Sequence, residues 1–161
     1  YETIESLELL KDYINIFLTD LKYKSSELSA KFSAAENYFE YASSAVKDMI
    51  SRTGKPQYDH DIMTKGTIIR HLVLPNSRRD SLEILDWLAE NFSPDDFVLS
   101  LMSQFTPVYK CSDYPEINRR VSTFEYNCVT KKAAELGFKG YIQKKTSAAS
   151  KFTPTFDLTG I

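Results

Sequence analysis

Cysteine is scarce in this chain: Cys111 and Cys128 are the only two among 161 residues, and they do not form a C-x-x-C pair. A disulfide framework would need a denser set, so the two read as free thiols in a reducing, cytoplasmic compartment. Long apolar runs are missing as well. No stretch approaches the roughly 18 consecutive apolar residues that mark a membrane-spanning helix. The chain opens Tyr1-Glu2-Thr3-Ile4, with no basic segment followed by an apolar one, so no secretory signal is read there. The expectation is a chain trimmed at its start or forming a piece of something longer.

Excess charge of either sign is also absent. Lysine and arginine number 20 against 22 acidic residues, for a net charge of -2. Bulk electrostatics therefore gives no reason to expect nucleic acid or an anionic membrane as partner, although a local anion site stays allowed. Glycine-rich phosphate loops, H-E-x-x-H zinc spacing and the G-x-S-x-G nucleophile turn are all lacking. A short Asp59-His60-Asp61 run is a weak metal signal at most. What remains is an ordinary soluble composition, 42% hydrophobic and 26% charged, in a length that suits a single domain.

The stretch from Gly66 to Asn76, Gly-Thr-Ile-Ile-Arg-His-Leu-Val-Leu-Pro-Asn, organises the rest. Its near-continuous apolar character, between helical patterns, predicts a parallel strand buried on both faces. Ahead of it come a helix over 4–12 with Thr3 as N-cap, a strand over 15–19, a loop or short helix over 25–33, and a helix over 35–51 that Gly54 and Pro56 end. Residues 55–65 have no periodicity and read as a surface connection. After it, Ser77 and Asp80 resemble a capping box for a helix reaching Phe92, and 97–102 read as a strand. Residues 107–120 are irregular, Ser122 and Glu125 open a further helix ended by Gly137, and 140–143 form a last strand. The tail over 144–161 is expected on the surface, tied down by Phe152, Phe156 and Leu158.

This order, α-β-α-β-α-β-α-β, predicts an α/β domain with four parallel strands, too few to close a barrel. It is either a small open sheet with three layers or an arc of a larger one. In such sheets ligands bind beyond the carboxyl ends of the strands, and each strand here finishes in polar side chains. These are Asp20 and Lys22, Arg70 and His71, then Ser103, Gln104 and Thr106, and finally Gln143 and Lys144. Asp20 and Lys22 suit a ligand's amine and carboxylate, or simply pair at the surface. Arg70 needs a carboxylate partner, from a ligand or from Asp20. His71 faces away from Arg70 and reads first as a satisfied packing residue. Tyr109, Tyr114, Phe124 and Tyr126 line a cleft or, on the blander reading, pack against helices.

Four segments together carry a resemblance: Phe17-Leu18-Thr19-Asp20-Leu21-Lys22; Thr67 through Pro75; Leu99-Ser100-Leu101-Met102-Ser103-Gln104-Phe105-Thr106-Pro107; and Tyr114-Pro115-Glu116-Ile117-Asn118-Arg119-Arg120. Over nearly the whole chain the sequence resembles the C-terminal half of radical S-adenosylmethionine (SAM) proteins related to the pyruvate formate-lyase activating enzyme. The resemblance implies the second half of a partial (β/α)6 TIM-like barrel, with a 4Fe-4S cluster that reductively cleaves SAM for hydrogen abstraction from a substrate. That substrate is a glycine of a glycyl radical enzyme or a small molecule. It also implies that Asp20, Lys22, Arg70 and His71 border the cofactor and that Ser103, Gln104 and Thr106 lie in the substrate cleft.

The C-x-x-x-C-x-x-C cluster loop of such proteins is absent, and Asn76 stands where they usually carry glycine after Leu-Pro. A chain with the orienting half and no cluster ligands is expected to be inactive alone and to bind neither the 4Fe-4S cluster nor SAM by itself, the iron-binding part lying before Tyr1 in a longer parent. Such a piece would leave one sheet edge open for self-association. The rival readings are a small non-catalytic α/β module that holds an anionic metabolite, and an interaction domain.

Overall fold

A computed structural model describes residues 2–143, so the expectations for Lys144 and for the tail with Phe152, Phe156 and Leu158 lie outside the described residues. Helix α1 (Ile4–Leu10) starts where Thr3 accepts a hydrogen bond from Ser6 N. Strand β1 (Ile16–Asp20) follows, and the segment left open between loop and helix is helix α2 (Ser26–Ser33), capped by Ser25. Helix α3 (Tyr38–Thr53) buries Ala42, Val46, Met49 and Ile50 along one stripe and stops at Gly54, whose φ of 65° ends the helical path. Helix α4 (Arg78–Asn91), strand β4 (Val98–Met102), helix α5 (Thr123–Glu135) and strand β5 (Gly140–Ile142) complete the second half. A short 3-10 turn, Tyr109–Asp113, lies within the irregular stretch after β4.

Residues 55–65 are not a plain surface connection. Strand β2 (Gln57–Asp59) pairs antiparallel with the start of β3 (Ile62–Leu72), so the organising strand begins as one arm of a hairpin. The turn residue His60 has φ 53°, a left-handed conformation that histidine tolerates better than a branched residue. Asp-His-Asp is a weak hairpin turn by composition, and three exposed residues are too few to alternate, which is why the pattern hid this element.

Strands β1, β3, β4 and β5 form an open parallel sheet in that order, with Leu18 opposite Ile68, Asp20 opposite Arg70, and Arg70 opposite Ser100. Helices cover one face of it. Thr67, Ile69 and His71 of β3 and Leu99 and Leu101 of β4 are buried beneath α3, α4 and α5 in one core with Val46, Ile84, Leu85, Leu88 and Val129. Phe17 packs with Leu7, Ala45 and Met49 in a satellite cluster under α1. Alternation sends Ile68, Arg70 and Leu72 to the other face, where they are only half-buried, and Leu18 beside them is 56% exposed. The expectation that the organising strand is buried on both faces is therefore corrected: its apolar side chains point both ways, but among the described residues only one set is fully buried.

The Ser77–Asp80 capping box does not form either. Ser77 makes no cap hydrogen bond to α4, its hydroxyl donating to Pro75 O instead, and Asp80 turns away to the loop after β1. Asn76 does hold the left-handed turn, at φ 60°. The Ser122–Glu125 box forms with both of its hydrogen bonds, at the start of α5.

Candidate functional site

The carboxyl ends of β1 and β3 bring Asp20, Lys22 and Arg70 together. Register places Asp20 directly beside Arg70, and Arg70 Nε donates to Asp20 Oδ1 at 2.7 Å. Lys22 Nζ stands 3.9 Å from Asp20 Oδ2. The pair sits on the face that no described helix covers, with its side chains 39% and 32% exposed, so solvent still reaches both. Among the described residues Arg70 is hydrogen-bonded through Nε alone, and no hydrogen bond from its two terminal nitrogens is formed. A guanidinium with free donors can grip a second carboxylate in the same plane. A groove of about 430 Å³ runs along this edge, lined by Leu10, Ile16, Leu18, Asp20, Lys22 and Arg70 among others.

The backbone beneath is fixed by Tyr38, which the helical pattern did not single out. Its hydroxyl donates to Asp20 O and accepts from Lys22 N, each at 2.9 Å, so it pins the turn that presents both side chains. Burial pushes its phenol up to about 12, against the opposing effect of the Lys22 N–H, and it stays a neutral donor. Leu21 N, between them, bonds Arg70 O and extends the β1–β3 ladder past the strand end.

His71 is on the opposite face, buried and away from this trio. Its Nδ1 is 2.7 Å from Leu21 O and its Nε2 is 2.9 Å from Ser81 Oγ. A carbonyl only accepts, so Nδ1 carries the proton and the Ser81 hydroxyl donates to Nε2. Burial lowers the pKa of the ring, which the Leu21 carbonyl partly opposes, and the imidazole is neutral. It ties β3 to α4 and to the end of β1. Asp80, which sequence spacing assigned to a cap, belongs to the same support: it accepts from Lys24 N and Ser25 N and so holds the β1–α2 loop over α4. Desolvation raises its carboxyl pKa, and the two amide bonds pull the other way.

Ser103, Gln104 and Thr106 follow β4 at the same end of the sheet. Gln104 is exposed, its Oε1 accepting from Gln143 Nε2 at 2.9 Å, and Gln143 Oε1 in turn accepts from Ser103 N. Thr106 donates to Gln104 O and stays at the surface. The Ser103 hydroxyl is buried and finds no hydrogen-bond partner among the described residues, while neighbouring Tyr126 donates to Leu101 O. Of the four aromatic candidates, Tyr126 is core, Tyr114 packs edge-on against Phe32, and Tyr109 and Phe124 are exposed at separate places.

Among the described residues no three His, Cys, Asp or Glu side chains gather as a metal site, and Cys111 and Cys128 are both free. His60 pairs only with Asp59, in the open. No described helix is long and apolar enough to cross a membrane.

Comparison with known proteins adds one relative. The chain is 36% identical over 140 residues, 86% of its length, to an uncharacterized protein, MJ0674, of Methanocaldococcus jannaschii. It spans 36% of the length of that curated relative. No family model matches the chain, and no solved structure matches it.

Proposed function

We propose that this chain is the C-terminal, ligand-orienting portion of a radical SAM enzyme related to the pyruvate formate-lyase activating enzyme, and that its open sheet is an arc of a partial (β/α)6 barrel. The observation that carries the reading is the Asp20, Lys22 and Arg70 cluster, gathered at the carboxyl ends of adjacent parallel strands on the face that no described helix covers. In a barrel arc that face is the lumen, where a cofactor would be held. The relative's greater length accommodates further strands in a longer polypeptide.

In such enzymes a 4Fe-4S cluster drives reductive cleavage of SAM. The described residues do not fit that cluster, because the two thiols lie on separate elements and no third ligand joins them. Iron ligation then belongs to the rest of the longer protein. The rim does fit an amino-acid head group: Arg70 would take the carboxylate through its free nitrogens, Asp20 would accept from the ammonium, and Lys22 would add positive charge. Ser103, Gln104 and Thr106 would border the substrate, a glycine of a partner enzyme or a small molecule.

The test uses the full-length parent, reconstituted with iron and sulfide and assayed for 5′-deoxyadenosine. Cleavage that falls at least about tenfold in Arg70→Gln, the loss of one charge-assisted contact, is expected. A parent that binds no cluster and cleaves no SAM would overturn the reading. The free donors of Arg70 also favour a second one, a non-catalytic module holding an anionic metabolite. Calorimetric heat with simple carboxylates, in a parent without cleavage, would select it. An interaction domain, self-associating through the side of β1 that no described strand pairs, would instead show a concentration-dependent mass.

A further inference from the structure

A second polar pocket lies where α4 and α5 begin side by side. Asn76, just before α4, donates its N–H to Glu125 Oε1 at 2.7 Å, and Glu125 is in the first turn of α5. Between the two helix starts is a pocket of about 400 Å³ whose lining includes Arg78, Arg79 and Arg119 against a single carboxylate, Glu125. That carboxylate is already saturated. It accepts from Arg119 Nη1 and Nη2 at 2.8 and 2.7 Å, and from Asn76 N and Ser122 N. The Arg119 guanidinium beside it holds its pKa well below the usual carboxylate range. Glu125 therefore anchors Arg119 and has no capacity left to neutralise the others.

Arg78 has no carboxylate partner among the described residues. Its guanidinium lies over the Phe124 ring, 4.9 Å from the centroid, with Nη1 3.8 Å from Cys128 Sγ. Stacking holds the fork in place and leaves its strongest donors without an oxygen. Arg79 reaches along the exposed surface to Glu83 at 3.2 Å, a pair weak enough to exchange. Ser77 makes no side-chain cap bond to α4, and the one acidic residue of the first turn, Asp80, is turned to Lys24 N and Ser25 N, so N–H groups of that turn add to the same positive region.

We propose that this pocket binds a phosphomonoester, with Arg78 as the principal ligand, Arg79 as a second that leaves Glu83, and the start of α4 contributing N–H donors. A phosphate carries close to two charges and three acceptor oxygens, and these use the two guanidinium groups and the helix start together. A carboxylate has fewer acceptors and half the charge, and would leave donors idle. Phe124, 67% exposed, gives the organic part of the ester a surface to lie on. The site is separate from the Asp20–Arg70 rim and stands whether or not the radical SAM reading does.

The experiment is a titration of the isotopically labelled 161-residue chain with inorganic phosphate at constant ionic strength, followed by amide resonances, with acetate and chloride in parallel. Expected are saturable shifts confined to 76–79 and 122–125 for phosphate, and an affinity lowered about tenfold or more in Arg78→Gln, with a smaller loss in Arg79→Gln. Lys131→Gln, on an exposed part of α5, should change nothing. Glycerol 3-phosphate and a phosphoserine tripeptide distinguish a metabolite from a modified protein as the source, and tighter binding of either supports the site. Shifts of the same size with acetate, shifts scattered over the surface, or binding unaffected by Arg78→Gln would overturn it.

Discussion

Asp20 and Arg70 are neighbours across two parallel strands, joined at 2.7 Å on a face that no described helix covers, and each keeps about a third of its side chain in water. Short distance and solvent access pull in opposite directions, and for pairs this exposed screening prevails. A double-mutant cycle of Asp20→Ala and Arg70→Ala, read by urea unfolding, is expected to give a coupling below about 1 kcal/mol. A coupling of several kcal/mol would mean that the pair is held for stability and not for a ligand.

His71 makes the fold sensitive to mild acid. Both ring nitrogens are hydrogen-bonded while the ring is neutral, and it is burial, which penalises the charged imidazolium, that lowers its pKa from 6.5. A base with a depressed folded-state pKa contributes stability that is fully present above 6.5 and is lost as pH falls toward the folded value. The slope is at most about 1.4 kcal/mol per pH unit. Urea midpoints between pH 7.5 and 5.5 should decline in the wild type and in His60→Gln, and flatten in His71→Gln. A flat wild-type profile would contradict the buried neutral ring.

Asp80 holds a loop, and its removal should be felt there. Asp80→Ala strands the amides of Lys24 and Ser25, which it binds at 2.6–3.2 Å, and should cost about 1–3 kcal/mol. Hydrogen exchange should accelerate at 24 and 25 before any change in β4. Uniform acceleration would place Asp80 in the global core instead.

Gly140 is where β5 comes closest to β4. It has φ 150°, and a Cβ there would lie 1.9 Å from Leu99 O. Gly140→Ala should detach β5, exposing the Gln143 amide that bonds Leu101 O and the Leu99 amide that bonds Lys139 O. Exchange at β1 should stay slow, and intact protection at Gln143 would show that the strand can shift to make room.

Apolar patterning made β1, β3, β4 and the larger helices legible, because each buries apolar side chains, whereas β5 is exposed at all three positions and was legible only as a short apolar run after Gly137. It also brought Asp20, Lys22 and Arg70 to one rim, since strand ends follow from strand direction. It could not show that the described helices fully bury only one side of the organising strand: Ile68 and Leu72 look like core residues in sequence whether or not a helix faces them. Asp80 sat at capping distance from Ser77, yet two loop amides from a segment far earlier in the chain outcompeted the cap. Tyr38 gave no signal, as one aromatic residue on an apolar stripe does not announce a hydroxyl that braces a turn. The arginine pocket was equally hidden, because Arg78 and Arg119 meet only through the docking of two helices.

The hairpin of β2 and β3 has a practical corollary. Its tip at His60 lies at the amino ends of the parallel strands, since β1 joins β3 only from Gly66 onward, whereas both candidate binding sites open at the carboxyl ends. A protein immobilised through residue 60 would therefore present both mouths to the solution, and this ribbon is the natural handle for tethering it without obstructing either.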